Sequence, residues 1–209
     1  MKKASVIVVF SLIAVLGAWS MPFLGADTGM LFMINGELAG APSPVILQGL
    51  GVTLPLVQDD GFLLYAGVLF YGCQYQMYVG RAIPADNELA DTIWTLLTQL
   101  DLRIGFPIKL SDNLTMGAMF GPALVLPVPL FAFDNGEAYR GTMFEYFYLR
   151  LKFLYVQGEL FLRWAVADGI DLSFKLRGMY QIAAIWDEIG ISRFNGMQIQ
   201  ALISLETKL

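Results

Sequence analysis

Between residues 100 and 110 apolar and polar positions alternate without a break. The even positions read Leu100, Leu102, Ile104, Phe106, Ile108 and Leu110, and the odd positions read Asp101, Arg103, Gly105, Pro107 and Lys109. A period of two places successive side chains on opposite faces of a strand, so every charge here falls on one face. The pattern returns over 170–182, where Leu172, Phe174, Leu176 and Tyr180 oppose Asp171, Ser173, Lys175, Arg177 and Gln181. It returns again at the C-terminus, where Ile199, Ala201, Ile203, Leu205 and Leu209 oppose Gln198, Gln200, Ser204, Glu206 and Lys208.

Two uncharged stretches, 62–80 and 113–133, have the length of membrane-spanning helices. The second carries Pro122, Pro127 and Pro129 with Gly117 and Gly121, poor material for a helix interior. The first sets Gln74 and Gln76 among Tyr65, Tyr71, Tyr75 and Tyr78, a strand-like composition. From 145 to 193 no uncharged gap reaches half a spanning length, so a polytopic helical inner-membrane protein is the weaker alternative. Short polar segments at 58–61, 111–113 and 167–169 have the Asp/Asn/Gly chemistry of tight turns. Longer connections, at 81–91, 133–141 and 187–190, separate the other ends. These landmarks predict eight strands: 28–37, 44–57, 62–80, 93–110, 114–131, 143–166, 170–186 and 191–209. Within 143–166 the polar face switches from Arg150 and Lys152 to Glu159 and Arg163, which predicts a β-bulge at Gly158. Asp86, Leu89, Ile93, Leu97 and Leu100 also fit a short surface helix over 86–100.

Composition places these strands in lipid. Of 209 residues 56% are apolar and only 15% charged, against about 45–50% and 25% in soluble domains. Strands with one apolar and one charged face then suit a closed barrel with lipid outside and a polar interior, since an open sheet would leave backbone groups unpaired in hydrocarbon. The expected fold is therefore an all-β, eight-stranded antiparallel up-and-down transmembrane β-barrel. Residues 1–20 have the form of a cleaved export signal: Lys2 and Lys3, an apolar run over 6–16, and small residues at Ala18 and Ser20. A second cut site follows Ala26. The barrel would occupy 21–209, with both termini periplasmic. A net charge of −5 disfavours nucleic acid as a partner, and the single Cys73 excludes an internal disulfide.

With this signal, these strands, the short turns and a terminal strand ending at Leu209, the chain resembles the small bacterial outer-membrane barrels of the OmpA/OmpX/OmpW group. Its length is nearest the OmpW-like members. It departs from the best-known members in ending on Leu209 rather than an aromatic. The resemblance implies residence in the bacterial outer membrane, contact with its lipid, and insertion by the barrel-assembly machinery. It also implies that the run Leu126-Pro127-Val128-Pro129-Leu130 could leave a lateral gap in the strand ladder.

The chemistry that remains is that of the lumen. The chain has no His, and a single Cys, which removes the usual base of a Ser nucleophile and the commonest metal ligands. No nucleotide fingerprint occurs, so no enzyme activity, metal or cofactor is expected. The acid pairs Asp59/Asp60 and Asp187/Glu188 fall in turns. Alternation sends Arg103, Lys109, Arg150, Lys152, Arg163, Lys175, Arg177 and Lys208 inward with Asp101, Glu159, Asp171 and Glu206. Eight strands enclose room only for side chains or one small ligand. The interior is then either a packed salt-bridge network or a narrow cationic passage or pocket for a small anionic or hydrophobic molecule. A non-conducting structural or surface-interaction barrel is the competing function. Trp94, Trp164 and Trp186 fall near strand ends, as in interfacial aromatic girdles.

Overall fold

The structure is a computed structural model that describes residues 22–36, 42–56, 61–86, 91–186, 194 and 196–209. The signal segment 1–20 and the acid pairs Asp59/Asp60 and Asp187/Glu188 lie outside them. Among the described residues nine strands are present: β1 (Phe23–Met33), β2 (Val45–Pro55), β3 (Leu63–Tyr78), β4 (Arg81–Pro84), β5 (Thr92–Ser111), β6 (Leu114–Ala132), β7 (Leu154–Ala167), β8 (Ile170–Gln181) and β9 (Gln198–Lys208). One helix, α1 (Arg140–Leu149), follows a 3-10 turn over Asp134–Tyr139. All strand pairs are antiparallel, in the order β2-β1-β9-β8-β7-β6-β5-β3, and a β2–β3 pairing closes the ring. This is a closed eight-stranded up-and-down barrel, with β4 as a short arm folded back on β3. The seam joins the chain ends: Phe23 stands opposite Lys208, and the Leu209 amide donates to the Pro22 carbonyl at 2.9 Å. Among the described residues no helix is long and apolar enough to cross a membrane. The two uncharged stretches that mimic spanning helices are β3 and β6.

Burial follows the alternation. On β5, Gln99, Asp101 and Arg103 are buried while Leu100, Leu102 and Ile104 are exposed; on β9, Gln200, Ser204 and Glu206 are buried while Ile199, Ile203 and Leu205 are exposed. Polar-in and apolar-out is the inverse of a soluble barrel and the arrangement required when lipid is the outer solvent.

Four expectations are corrected. β1 begins at Phe23 rather than residue 28, because its pairing with both β2 and β9 extends to that point. Residues 143–153 are not strand: α1 and the turn after it occupy them, and β7 starts at Leu154. The polar-face switch therefore marks the end of a helix. β7 pairs with β6 and β8 without a register shift at Gly158, and no bulge forms there. The register shifts lie instead at Trp94/Thr95, Lys109/Ser111 and Ala165/Ala167. Finally, residues 92–100 are the start of β5, so the surface helix fails over that part; 87–90 lie outside the described residues.

A ring this small must bend sharply, and glycine permits it. A Cβ on Gly49 would run into the Val68 carbonyl, and one on Gly121 into the Leu102 carbonyl, so both mark points where adjacent strands approach too closely for any side chain. Glycine also makes room for Tyr65. Its ring lies across Gly51 and Gly67, where an added Cβ at either position would strike the ring or its hydroxyl. The hydroxyl reaches past β2 to Asp27 Oδ2 of β1 at 2.7 Å. Gly51→Val should displace that ring and cost about 1–3 kcal/mol of unfolding free energy, the usual range for overpacking. Gly158→Val, whose Cβ would meet open space on the outer wall, should be near neutral. Equilibrium urea unfolding of both variants in the same micelles checks the difference.

Candidate functional site: the lumen network and its cap

The lumen has two halves. Near the end that carries the termini and the tight turns it is ionic. Arg103 and Arg177, both with no exposed surface, face each other across the barrel from β5 and β8. Arg177 donates to Asp101 Oδ2 at 2.8 Å, to Glu159 Oε2 through Nε at 2.9 Å, and to Gln200 Oε1 at 3.0 Å. Arg103 pairs with Glu159 and stacks its guanidinium 3.9 Å from the Tyr65 ring centre. Gln99 and Gln157 donate to Asp101 at 2.8 and 3.2 Å, and Gln200 donates to Gln99 at 2.8 Å. One layer nearer the termini, Lys175 Nζ bridges Asp27 at 2.9 Å and Glu206 at 3.0 Å, and Arg163 pairs with Glu206 at 2.8 Å. Six strands, β1, β3, β5, β7, β8 and β9, contribute, because each delivers every second side chain inward.

Eight of the expected lumen residues fall in this half: Asp101, Arg103, Glu159, Arg163, Asp171, Lys175, Arg177 and Glu206. Four do not. Lys109 and Lys208 sit at strand ends beyond the depth of the barrel; Lys109 is exposed and reaches Asp112 at 3.6 Å in the adjoining turn, while Lys208 lies over the Phe23 ring. Arg150 is exposed at the end of α1. Lys152 is buried, but in the cap at the opposite end, where its Nζ donates to the Ala183 carbonyl at 2.9 Å. The expected cationic excess therefore disappears. Among the described residues the ionic half sets Arg103, Arg163, Lys175 and Arg177 against Asp27, Asp101, Glu159, Asp171 and Glu206. Asp27 was missed because the first strand was started one residue after it. Tyr65, Gln99 and Gln157 were missed because only charged positions were followed, although Gln99 shares the parity of Asp101 on β5 and Gln157 that of Glu159 on β7.

The other half is apolar and aromatic. Leu31, Met33, Leu47, Leu69, Tyr71, Cys73, Tyr75, Leu97 and Tyr155 form one buried cluster with Met143, Tyr146 and Phe147 of α1. The helix lies over the mouth and pushes these three side chains in; Phe147 meets the Tyr75 ring edge-to-face at 5.4 Å. The arm β4 is buried along its whole length, with the Ala85 amide donating to the Gln74 carbonyl and the Asn35 side chain to the Pro84 carbonyl. Gln181 donates to the Lys152 carbonyl, so the segment after α1 is tied to the end of β8.

The strand ladder has a step at this end. β6 pairs with β7 only up to Leu124–Leu154, while its β5 side remains paired to Ala132. The Pro-rich run thus has no strand on its β7 side. Its carbonyls are met by side chains instead: Tyr148 Oη donates to Pro127 at 2.9 Å, and Arg140 to Leu130 at 3.3 Å. Partial burial pushes the Tyr148 phenol above its ordinary pKa. Trp94 covers Gly72 on the outer wall beside Phe131, and Trp164 is exposed near the opposite end. The side chain of Trp186 lies outside the described residues. A shallow apolar hollow of about 730 Å³, lined by Met30, Phe32, Ile46, Leu162, Phe174 and Ile203 among others, lies on the outer wall rather than in the lumen.

The class is defined by these features together: an eight-stranded antiparallel barrel with an apolar outer wall and a charge-filled interior. No family model and no curated protein matches the chain. Among solved structures it is similar to Neisserial surface protein A, at 11% identity and a TM-score of 0.53, the alignment covering 91% of this chain and 98% of that one. It is also similar to the outer membrane protein OprG from Pseudomonas aeruginosa, at 9% identity and a TM-score of 0.49, over 91% and 98% of the two chains. The likeness is one of fold.

Arg177→Met strands Asp101 and Glu159 with Arg103 alone and should cost about 3–5 kcal/mol, the usual result of breaking a buried ion pair from one side. Adding Glu159→Gln to that variant should recover part of the loss. A double-mutant cycle on unfolding free energies reads the coupling.

Proposed function

We propose that the protein is a non-conducting outer-membrane barrel, plugged along its axis, that presents a capped end to the exterior as a structural or surface-interaction element. The observation that carries this is the filling of the lumen by Arg103 and Arg177, both fully buried and held by the chain's own Asp101, Glu159 and Gln200. In the ionic half the charges are matched internally among the described residues, and parting them without water is costly. The signal-like segment 1–20, an apolar wall and termini gathered at the tight-turn end support insertion with that end periplasmic. In planar bilayers the wild-type protein should give no conductance steps, and the Arg103→Ala, Arg177→Ala double variant should give them. Steady wild-type channels would overturn the reading.

Cleavage after Ser20 fits this reading, because it leaves β1 whole. A cut after Ala26 would remove four residues of β1 and their pairing with the C-terminal strand. N-terminal sequencing of the membrane-inserted form should therefore begin at Met21.

A second reading is favoured by one observation, the outer run of β6 that has no strand on its β7 side, beside the aromatic half of the lumen. There the barrel takes up one small hydrophobic molecule and releases it sideways, as the OmpW-like resemblance implies. Uptake of an apolar substrate by cells carrying the protein, lowered by Pro127→Val with Pro129→Val, would support it. Unchanged uptake in that variant removes it.

A further inference from the structure

The turn that ends α1 carries a combination that neither the plug nor the barrel wall uses. Leu149 and Leu151 are 77% and 57% exposed, and Arg150 between them is exposed and forms no ion pair with the described residues. The other cation of this helix, Arg140, is already paired with Glu137 at 2.8 Å. The Lys152 amide closes the helix on the Phe147 carbonyl at 2.9 Å, which puts Leu151 at the left-handed position (φ 54°) where such caps normally place glycine. A leucine there is held outward at a backbone cost that glycine would avoid.

The depth of this turn is fixed by two contacts with β6. Tyr148 bonds the Pro127 carbonyl, and the Val125 amide bonds the Phe153 carbonyl at 2.8 Å. Leu149, Arg150 and Leu151 thus lie beside Val125–Pro127, in the step left by the late start of β7. Trp94 and Phe131, with ring centres 5.9 Å apart, stand further out on the same wall. From Pro127 to Phe131 is about 13 Å along a strand at ~3.3 Å per residue. If those aromatics mark the interface, the turn sits on the membrane side of it, continuous with the exposed wall residues Val128 and Leu130. An arginine at that depth has to extend outward to the headgroups, and its planar fork is suited to a phosphate.

We propose that Leu149-Arg150-Leu151 is a lipid-docking turn: the two leucines fill the step in the strand wall against acyl chains, and Arg150 binds the phosphate of an anionic lipid headgroup. The proposal rests on the membrane reading above and adds to it a lipid class and the residue that selects it.

Native mass spectrometry tests this on protein released from mixed vesicles of phosphatidylcholine and phosphatidylglycerol. The wild-type barrel should retain phosphatidylglycerol in preference to phosphatidylcholine. Arg150→Ala should lose that preference, and Arg150→Lys should keep part of it. Lys109→Ala, an exposed cation at the opposite end, should behave as wild type. Leu151→Gly relieves the backbone yet should lower total lipid retention. Equal preference in wild type and Arg150→Ala would overturn the proposal. So would displacement of the bound lipid by excess inorganic phosphate, which would mark a free-anion site. Heat-modifiable gel mobility reports insertion separately: a chain that inserts into no vesicle would overturn the membrane reading itself.

Discussion

Inside hydrocarbon a backbone amide or carbonyl has no water to turn to, and that single requirement governs the rest of this molecule. It forces the sheet to close, and the β2–β3 pairing joins the last two edges of the ring. Closing with eight strands fixes a lumen too narrow for anything but side chains or one small ligand. Alternation then delivers the polar half of every strand into that space. Buried there, the charges neutralise one another, as Arg177 does between Asp101 and Glu159. A large excess of one sign, such as strand parity counted over the whole chain implied, would be costly in a buried interior of this size.

The same requirement explains the cap. Strands of unequal height leave β3, β5 and β6 standing above their neighbours. Their exposed polar groups must be met by something other than a neighbouring strand of the barrel. The arm β4 meets β3, and the side chains of Tyr148 and Arg140 meet the carbonyls of β6. A helix that does this while plugging an apolar mouth needs nonpolar surface on more than one side. In α1, Met143, Tyr146 and Phe147 face inward while Phe144 and Leu149 remain exposed. The helix therefore lacks the one-sided periodicity of an ordinary surface helix.

That lack of periodicity is why the region misled a reading of the sequence alone. β5, β8 and β9 were legible because each carries charges on one face and large aliphatics on the other along most of its length. Between Met143 and Phe153 the chain is aromatic on every side. The two cations Arg150 and Lys152 stand two apart by coincidence: one caps the helix and the other bonds a carbonyl across the mouth. Lys109 and Lys208 show a different limit. Alternation runs past the point where the barrel has an inside, so parity continues to predict a lumen that is no longer there. Asp27 was lost to a boundary, since the glycines and small residues around it give little strand signal. The neutral Gln99, Gln157 and Gln200 show that amides matter as much as charges in completing a buried ionic layer.

The seam between β1 and β9 has a kinetic meaning. Its partners, from Phe23–Lys208 to Met33–Gln198, are separated by nearly the whole chain, while most other barrel pairings join consecutive strands. Contacts of that sequence separation carry the largest loop-closure entropy and form late. Until the final strand arrives, β1 offers an open edge able to pair with any other extended chain. The eleven residues of β9 therefore act as a zip fastener, converting an aggregation-prone ribbon into a sealed cylinder in a single event.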